Sequence, residues 1–122
     1  MEFLHTDKAP AAIGPYSQAV ETNGFVFTSG QLGIIPDTGA LAHSMAAQTV
    51  QALENVVSVL KSADLALTNV VKTTCFLADM ADFATFNSVY AQYFTSNPAR
   101  SCCAVKDLPK GVRCEIEAVA EV

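Results

Sequence analysis

Near its end the chain reads Asn97-Pro98-Ala99-Arg100-Ser101-Cys102-Cys103-Ala104-Val105, then Leu108-Pro109-Lys110-Gly111, then Arg113-Cys114-Glu115-Ile116-Glu117-Ala118-Val119-Ala120. Pro98 excludes helix for the residue before it and opens an extended segment. The Pro-Lys-Gly cluster is a turn signal, so the two runs read as a closing pair of strands. Alternation along the first puts Arg100 and Cys102 on one face and Ser101 and Cys103 on the other. In the second, Cys114, Ile116, Ala118 and Ala120 share a face, with Arg113, Glu115, Glu117 and Val119 opposite.

Working back from this pair, two helices and an intervening strand come into view. Phe83, Phe86, Tyr90, Tyr93 and Phe94 recur at helical spacing over about Ala81–Phe94, with Asp79 as a cap. Such an aromatic stripe is core. Asn87 lies one turn from Phe83 and Tyr90, and a polar amide there needs partners, so it is a candidate pocket residue. Val70–Leu77, rich in β-branched residues, reads as a strand. A longer helix runs from about Ser44, a suitable N-cap, to Lys61. Its apolar residues Ala46, Val50, Leu53, Val57 and Leu60 predict the buried face, leaving Gln48, Gln51, Glu54, Asn55 and Ser58 outside.

The amino-terminal part supplies a hairpin. Ser17–Thr22 and Phe25–Ser29 are strand-like and are joined by Asn23-Gly24, a strong two-residue hairpin signal. Residues 1–6 add a further short strand, and the Pro- and Gly-rich loop Ala9–Tyr16 carries Tyr16 in a fixed position. Ser29-Gly30-Gln31 follows, where the glycine permits close approach to the backbone. The order β-β-β-α-β-α-β-β predicts one domain over residues 1–122. Its fold class is α+β, a mixed sheet of about six strands with both helices on one face.

Whole-chain properties narrow the function. Hydrophobic residues make up 51% of the 122, which excludes disorder. Charged residues reach only 16%, against about 25% in an ordinary soluble domain, consistent with surface hidden between subunits. Seven basic and twelve acidic residues give a formal charge of −5, with no lysine or arginine cluster to neutralise phosphates, so a nucleic-acid partner is disfavoured. No signal-peptide core or membrane-length apolar run is present. The four cysteines lack C-x-x-C spacing and read as reduced thiols of a cytoplasmic protein.

His5 and His43 are too few and too separate for zinc or a Ser-His-Asp arrangement, and no phosphate loop exists. The positive signal is Arg100 with Glu117. A planar guanidinium suits a carboxylate, and a partly desolvated glutamate opposite it can activate water. Glu115 and Glu117 both lying in solvent is the plain alternative on sequence alone.

Gly14-Pro15-Tyr16-Ser17-Gln18-Ala19, Thr28-Ser29-Gly30-Gln31, Val71-Lys72-Thr73-Thr74, Asn97-Pro98-Ala99-Arg100-Ser101 and Glu115-Ile116-Glu117-Ala118 together resemble the reactive intermediate deaminase (RidA/YjgF) family, also known as L-PSP-type endoribonucleases. The resemblance implies a chorismate-mutase-like subunit, assembled as a homotrimer with clefts between subunits. It also implies hydrolysis of 2-imino acids to 2-keto acids and ammonia, without cofactor or metal. By position, Arg100 would bind the substrate carboxylate, Glu117 would orient water, and the Cys102 main chain would assist. Tyr16, Ser29, Gly30 and Asn87 would line the cleft. Ser96-Asn97 leads straight into Pro98, where relatives commonly carry an aromatic or extra residues, so that wall is expected to be shorter. A non-catalytic metabolite-binding module and, behind it, a ribonuclease are the alternatives the resemblance leaves open.

Overall fold

The computed structural model describes residues 1–122. Asn23 and Gly24 take positive φ (51° and 82°) between β2 (Ala19–Thr22) and β3 (Phe25–Thr28). Positive φ at both central residues is the type I′ pattern, whose twist suits paired strands. β1 (Glu2–Leu4) pairs with β2, and β3 pairs with β7 (Cys114–Glu121), all antiparallel. Beyond β7 lies β5 (Val70–Leu77), antiparallel to it, and then β6 (Ala99–Ala104), parallel to β5 at the sheet edge. The sheet is mixed, as expected.

It has seven strands rather than about six. After Thr28 the chain bends at Ser29-Gly30, and Gln31–Leu32 (β4) rejoins β7 opposite Ile116 and Glu115. Two residues carry no readable period, so alternation alone does not reveal such a strand.

α1 (Met45–Lys61) starts where the sequence places it, with the Ser44 Oγ accepting the Ala47 N–H at 3.0 Å. Its buried face keeps the predicted Leu53 and Leu60 but is turned away from Ala46, Val50 and Val57. Met45, Thr49, Ala52, Leu53, Val56, Val59 and Leu60 are buried together with Gln48 and Asn55, while Val50 is exposed. The polar pair is buried because distant backbone groups need it. Gln48 Oε1 accepts the Arg113 N–H at 2.8 Å, and Asn55 Nδ2 donates to the carbonyls of Leu32 and Ile34 at 2.9 Å each. A loop lying on a helix must satisfy its polar backbone groups somewhere, and no buried side-chain polar atom is left unpaired. Leu53 is fully buried, so its truncation to alanine costs about 2–5 kcal/mol.

The second helix begins two residues late. Asp79 Oδ1 accepts the Ala81 N–H at 2.9 Å, but it caps a 3₁₀ turn over Met80–Asp82, and α2 runs Phe83–Tyr93. Phe86, Tyr90 and Phe94 follow one another in the core with centroid spacings of 5.9 and 4.6 Å, as the stripe predicts. Both helices lie on one face, over a core that includes Val26, Cys75, Leu77, Cys114, Ile116, Ala118 and Ala120. The opposite face is bare in the single chain, with Phe3, Phe25 and Phe27 exposed by 66, 40 and 45%. No helix is long and apolar enough to cross a membrane.

Candidate functional site

The first group of site residues is assembled around the bend after β3. Gln18 ties down the N-terminal loop: its Oε1 accepts the Thr6 N–H at 2.8 Å, and its Nε2 donates to Thr6 O and Pro10 O at 3.0 and 2.8 Å. Tyr16 follows that anchored loop, its own N–H donating to Gly14 O at 2.9 Å. Ser29 is held twice, by Oγ to Ser17 O at 2.5 Å and by N–H to Gln18 O at 2.8 Å. Gly30 then allows the close approach expected of it. The visitor is the Glu115 carboxyl, which occupies the space a Cβ at Gly30 would fill. Tyr16, Ser29, Gly30, Lys110 and Glu115 line a cleft of about 510 Å³.

Glu115 is the residue the sequence did not single out. Burial raises its pKa above the ordinary carboxylate value, and the neighbouring Glu117 charge adds to the shift. Both glutamates occupy the same strand face, so alternation cannot separate them. The register does: β4 pairs Leu32 with Glu115, whereas Glu117 lies beside Thr74 and does not line the cleft.

A second group forms where β6 meets α2. Arg100 Nη1 donates to Asn87 Oδ1 at 2.8 Å. Its guanidinium carbon lies 4.7 Å from the Tyr90 ring centroid and 5.6 Å from that of Phe83. A guanidinium only donates, so the Asn87 oxygen must face it and the amide N–H₂ is turned elsewhere. Asn87, Tyr90, Ala91, Pro98 and Arg100 line a hollow of about 410 Å³. Asn97 enters it with φ of +54°, a left-handed turn that asparagine tolerates. Cys102 lies next along the Arg100 face, half-buried; burial pushes its thiol pKa up, Arg100 pulls the other way and Cys103 adds to the rise. It is therefore a thiol at neutral pH. The Val105 N–H donates to Leu77 O at 2.9 Å, and two-residue alternation turns the Cys102 backbone groups outward from the free edge of β6. Cys103 is exposed on the other face, as alternation predicts.

Within one chain these two groups do not meet. Thr73 is in register with Arg100 on one side and Ala118 on the other, so Arg100 shares the helix-covered face. Thr74 is in register with Ser101 and Glu117, and Phe76 with Cys103 and Glu115, so both glutamates share the bare face. The expected pairing of Arg100 opposite Glu117 in one pocket is therefore absent from the single chain. Strand pleat, not distance along the sequence, separates them.

The comparisons with known proteins agree with this architecture. The Endoribonuclease L-PSP family profile matches residues 6–122. The chain belongs to that family, the reactive intermediate deaminases. A human relative named 2-iminobutanoate/2-iminopropanoate deaminase is 53% identical over 119 residues, covering 96% of this chain and 87% of its own. The protein of the same name from Salmonella typhimurium is 50% identical over 121 residues, covering 96 and 94%. Among solved structures, Escherichia coli TdcF with bound serine superposes with a TM-score of 0.97 at 42% identity, covering 100% of this chain and 98% of that one.

Proposed function

We propose that this protein hydrolyses small 2-imino acids to the corresponding 2-keto acids and ammonia. The observation that carries the reading is the division of chemistry between the two groups. One offers a desolvated carboxyl over a glycine backbone, and the other a guanidinium whose charge no acid neutralises. An imino acid needs both. Arg100, with the Asn87 amide beside it, takes the substrate carboxylate, fixing the C=N carbon for attack. Glu115, rather than Glu117, accepts a hydrogen bond from water and removes its proton as the oxygen adds to that carbon. The proton is returned to nitrogen to give the carbinolamine, whose hydroxyl proton then passes through the same carboxyl to the amine as the C–N bond breaks, leaving the carbonyl and ammonia. A carboxyl whose pKa is raised above the ordinary value serves both transfers better than an unshifted one, and such help is typically worth about 10²- to 10⁴-fold. Tyr16, Ser29 and Gly30 wall the cleft, and the outward Cys102 backbone orders the water or the imine nitrogen.

The two groups are joined, on this reading, across subunits of the homotrimer that the family resemblance implies. The bare sheet face with its exposed phenylalanines supports such burial, and so does the low charge content. Serine bound to the TdcF relative supports a small ligand bearing a carboxylate. Four free cysteines support the reducing, cytoplasmic setting. A module that merely binds carboxylates would need only the arginine group, so Glu115 favours catalysis.

The test generates 2-iminobutanoate in situ with a threonine dehydratase and follows 2-ketobutanoate release. The expected result is acceleration by the wild-type protein and a loss of at least about 10²-fold in Arg100→Ala and Glu115→Gln. Equal rates with and without the protein would overturn the proposal.

A further inference from the structure

Arg100 is a long, flexible side chain in a half-buried place, and ordering such a chain costs entropy each time a ligand is bound. Here that cost is met before any ligand arrives. Every group that holds the guanidinium is neutral: the Asn87 amide oxygen and the faces of Tyr90 and Phe83. The two ion pairs of the chain, His5–Asp7 and Arg113–Asp82, lie elsewhere. A carboxylate partner would also have ordered Arg100, but it would have competed with an anionic substrate for the same fork.

The nearer ring is itself fixed. The Tyr90 hydroxyl lies 2.7 Å from the Thr73 hydroxyl in the core, where Thr73 is fully buried and Tyr90 is 7% exposed. Thr73 is also the residue in register with Arg100 across the β5–β6 ladder. Thr73, Tyr90 and Arg100 therefore close a triangle of one ladder pair, one hydroxyl pair and one ring face. For packing alone, phenylalanine would serve at position 90 between Phe86 and Phe94, and the buried hydroxyl would be a liability.

Resting on the reading that Arg100 holds the substrate carboxylate, we propose that Tyr90 is a positioning residue. Its ring sets the height and tilt of the Arg100 fork at the cleft mouth. Thr73, through the buried hydroxyl pair, sets where that ring lies. Neither residue takes part in the bond-making step, so their loss weakens carboxylate capture while that step, run from the Glu115 group, continues.

The experiment measures KM and kcat with 2-iminobutanoate generated in situ, and in parallel the Kd for 2-ketobutanoate by calorimetry. Tyr90→Leu removes the platform and raises KM and Kd about tenfold with kcat within about twofold. Tyr90→Phe and Thr73→Val both break the hydroxyl pair, the second also removing the acceptor of the Cys75 thiol at 3.9 Å, and each raises both constants about threefold, with the double variant no worse than either single one. In an Arg100→Ala background, Tyr90→Phe changes nothing further. Unchanged KM and Kd in both Tyr90→Phe and Thr73→Val, or additive losses in their combination, would overturn the proposal; this pair decides the matter even where Tyr90→Leu fails to fold. Wild-type protein that binds 2-ketobutanoate but turns over no imine would sink the catalytic reading alone, and Kd would still test the positioning. Wild-type protein that binds no keto acid would overturn both.

Discussion

Gly30→Ala separates the chemistry from the fold more cleanly than any change at a charged residue. Gly30 does not sit in the left-handed region, so alanine brings no backbone strain, and the only obstacle is the Glu115 side chain. The new Cβ would lie 2.6 Å from the Glu115 Cδ and 2.9 Å from its Cγ, against 3.4 Å for ordinary contact. The Oε2 lies nearer still, so the carboxyl must retreat by more than about 0.8 Å, and misplacements near 1 Å in an active site cost about 10²-fold. A loss of that size corresponds to about 2.7 kcal/mol of barrier. The end of a glutamate rotates at little cost, so folding stability should change by about 1 kcal/mol or less. The assay is keto-acid release from 2-iminobutanoate beside a thermal melt. kcat should fall about a hundredfold while KM holds within about threefold, because Arg100 belongs to the other group. Gly33→Ala is the control: its Cβ would meet the Gln48 Cα and carbonyl oxygen at 2.7 Å, backbone of α1 that cannot rotate away. That variant should lose stability, with activity falling only as folded protein is lost. Wild-type kcat in Gly30→Ala would refute the placement of Glu115 in the chemistry.

Four further outcomes follow from the same geometry. The rate should decline on the acid side as pH drops through the raised pKa of Glu115, and Glu117→Gln, which removes the secondary cause of that rise, should move the decline to lower pH; an acid limb that stays put in a pH–kcat profile would contradict it. Because folding raises that pKa, Glu115 is a liability to stability once pH exceeds its unfolded value, so Glu115→Gln should melt higher than wild type at pH 7 and lose the difference below about pH 4. Cys102→Ala should keep activity within about fivefold, since the proposed mechanism uses only its backbone and its thiol is protonated; a hundredfold loss would assign the sulfur a role. Phe27→Lys on the bare face should reduce the proposed assembly to monomers in sedimentation and abolish turnover together, whereas active monomers would place the whole site in one chain.

What the sequence made legible was local. Asn23-Gly24 dictates a turn by its own backbone preferences, Ser44 caps by its own oxygen, and Val70–Leu77 declares a strand by composition. What it hid depends on residues far apart. Gln48 and Asn55 look like solvent-facing positions until the orphaned backbone groups of Arg113, Leu32 and Ile34 are laid against them. That demand turns α1 so that Val50 faces out and Val56 in. The same kind of blindness governed the glutamates. Positions 115 and 117 have equal parity and equal charge, and only the two-residue strand Gln31–Leu32 brings one of them over Gly30. A glycine flagged for close approach, followed by an acid-bearing strand, was the signal available; the register needed to choose between the acids was not.

Pleat also limits how the site can be completed. Moving Glu115 to the face of Arg100 within one chain would require slipping β7 by one residue, which would drive Cys114, Ile116, Ala118 and Ala120 out of the core and three glutamates with Val119 in. Burial of that set is worth several kcal/mol, so no ligand of a few atoms could induce the slip. On the proposed reading, the chemistry takes the two groups from two copies of the chain. Such an arrangement makes activity depend on assembly, and it lets each group be built on a rigid strand of its own. The raised carboxyl pKa and the unneutralised guanidinium can also be maintained separately, since neither lies close enough in its own subunit to cancel the other.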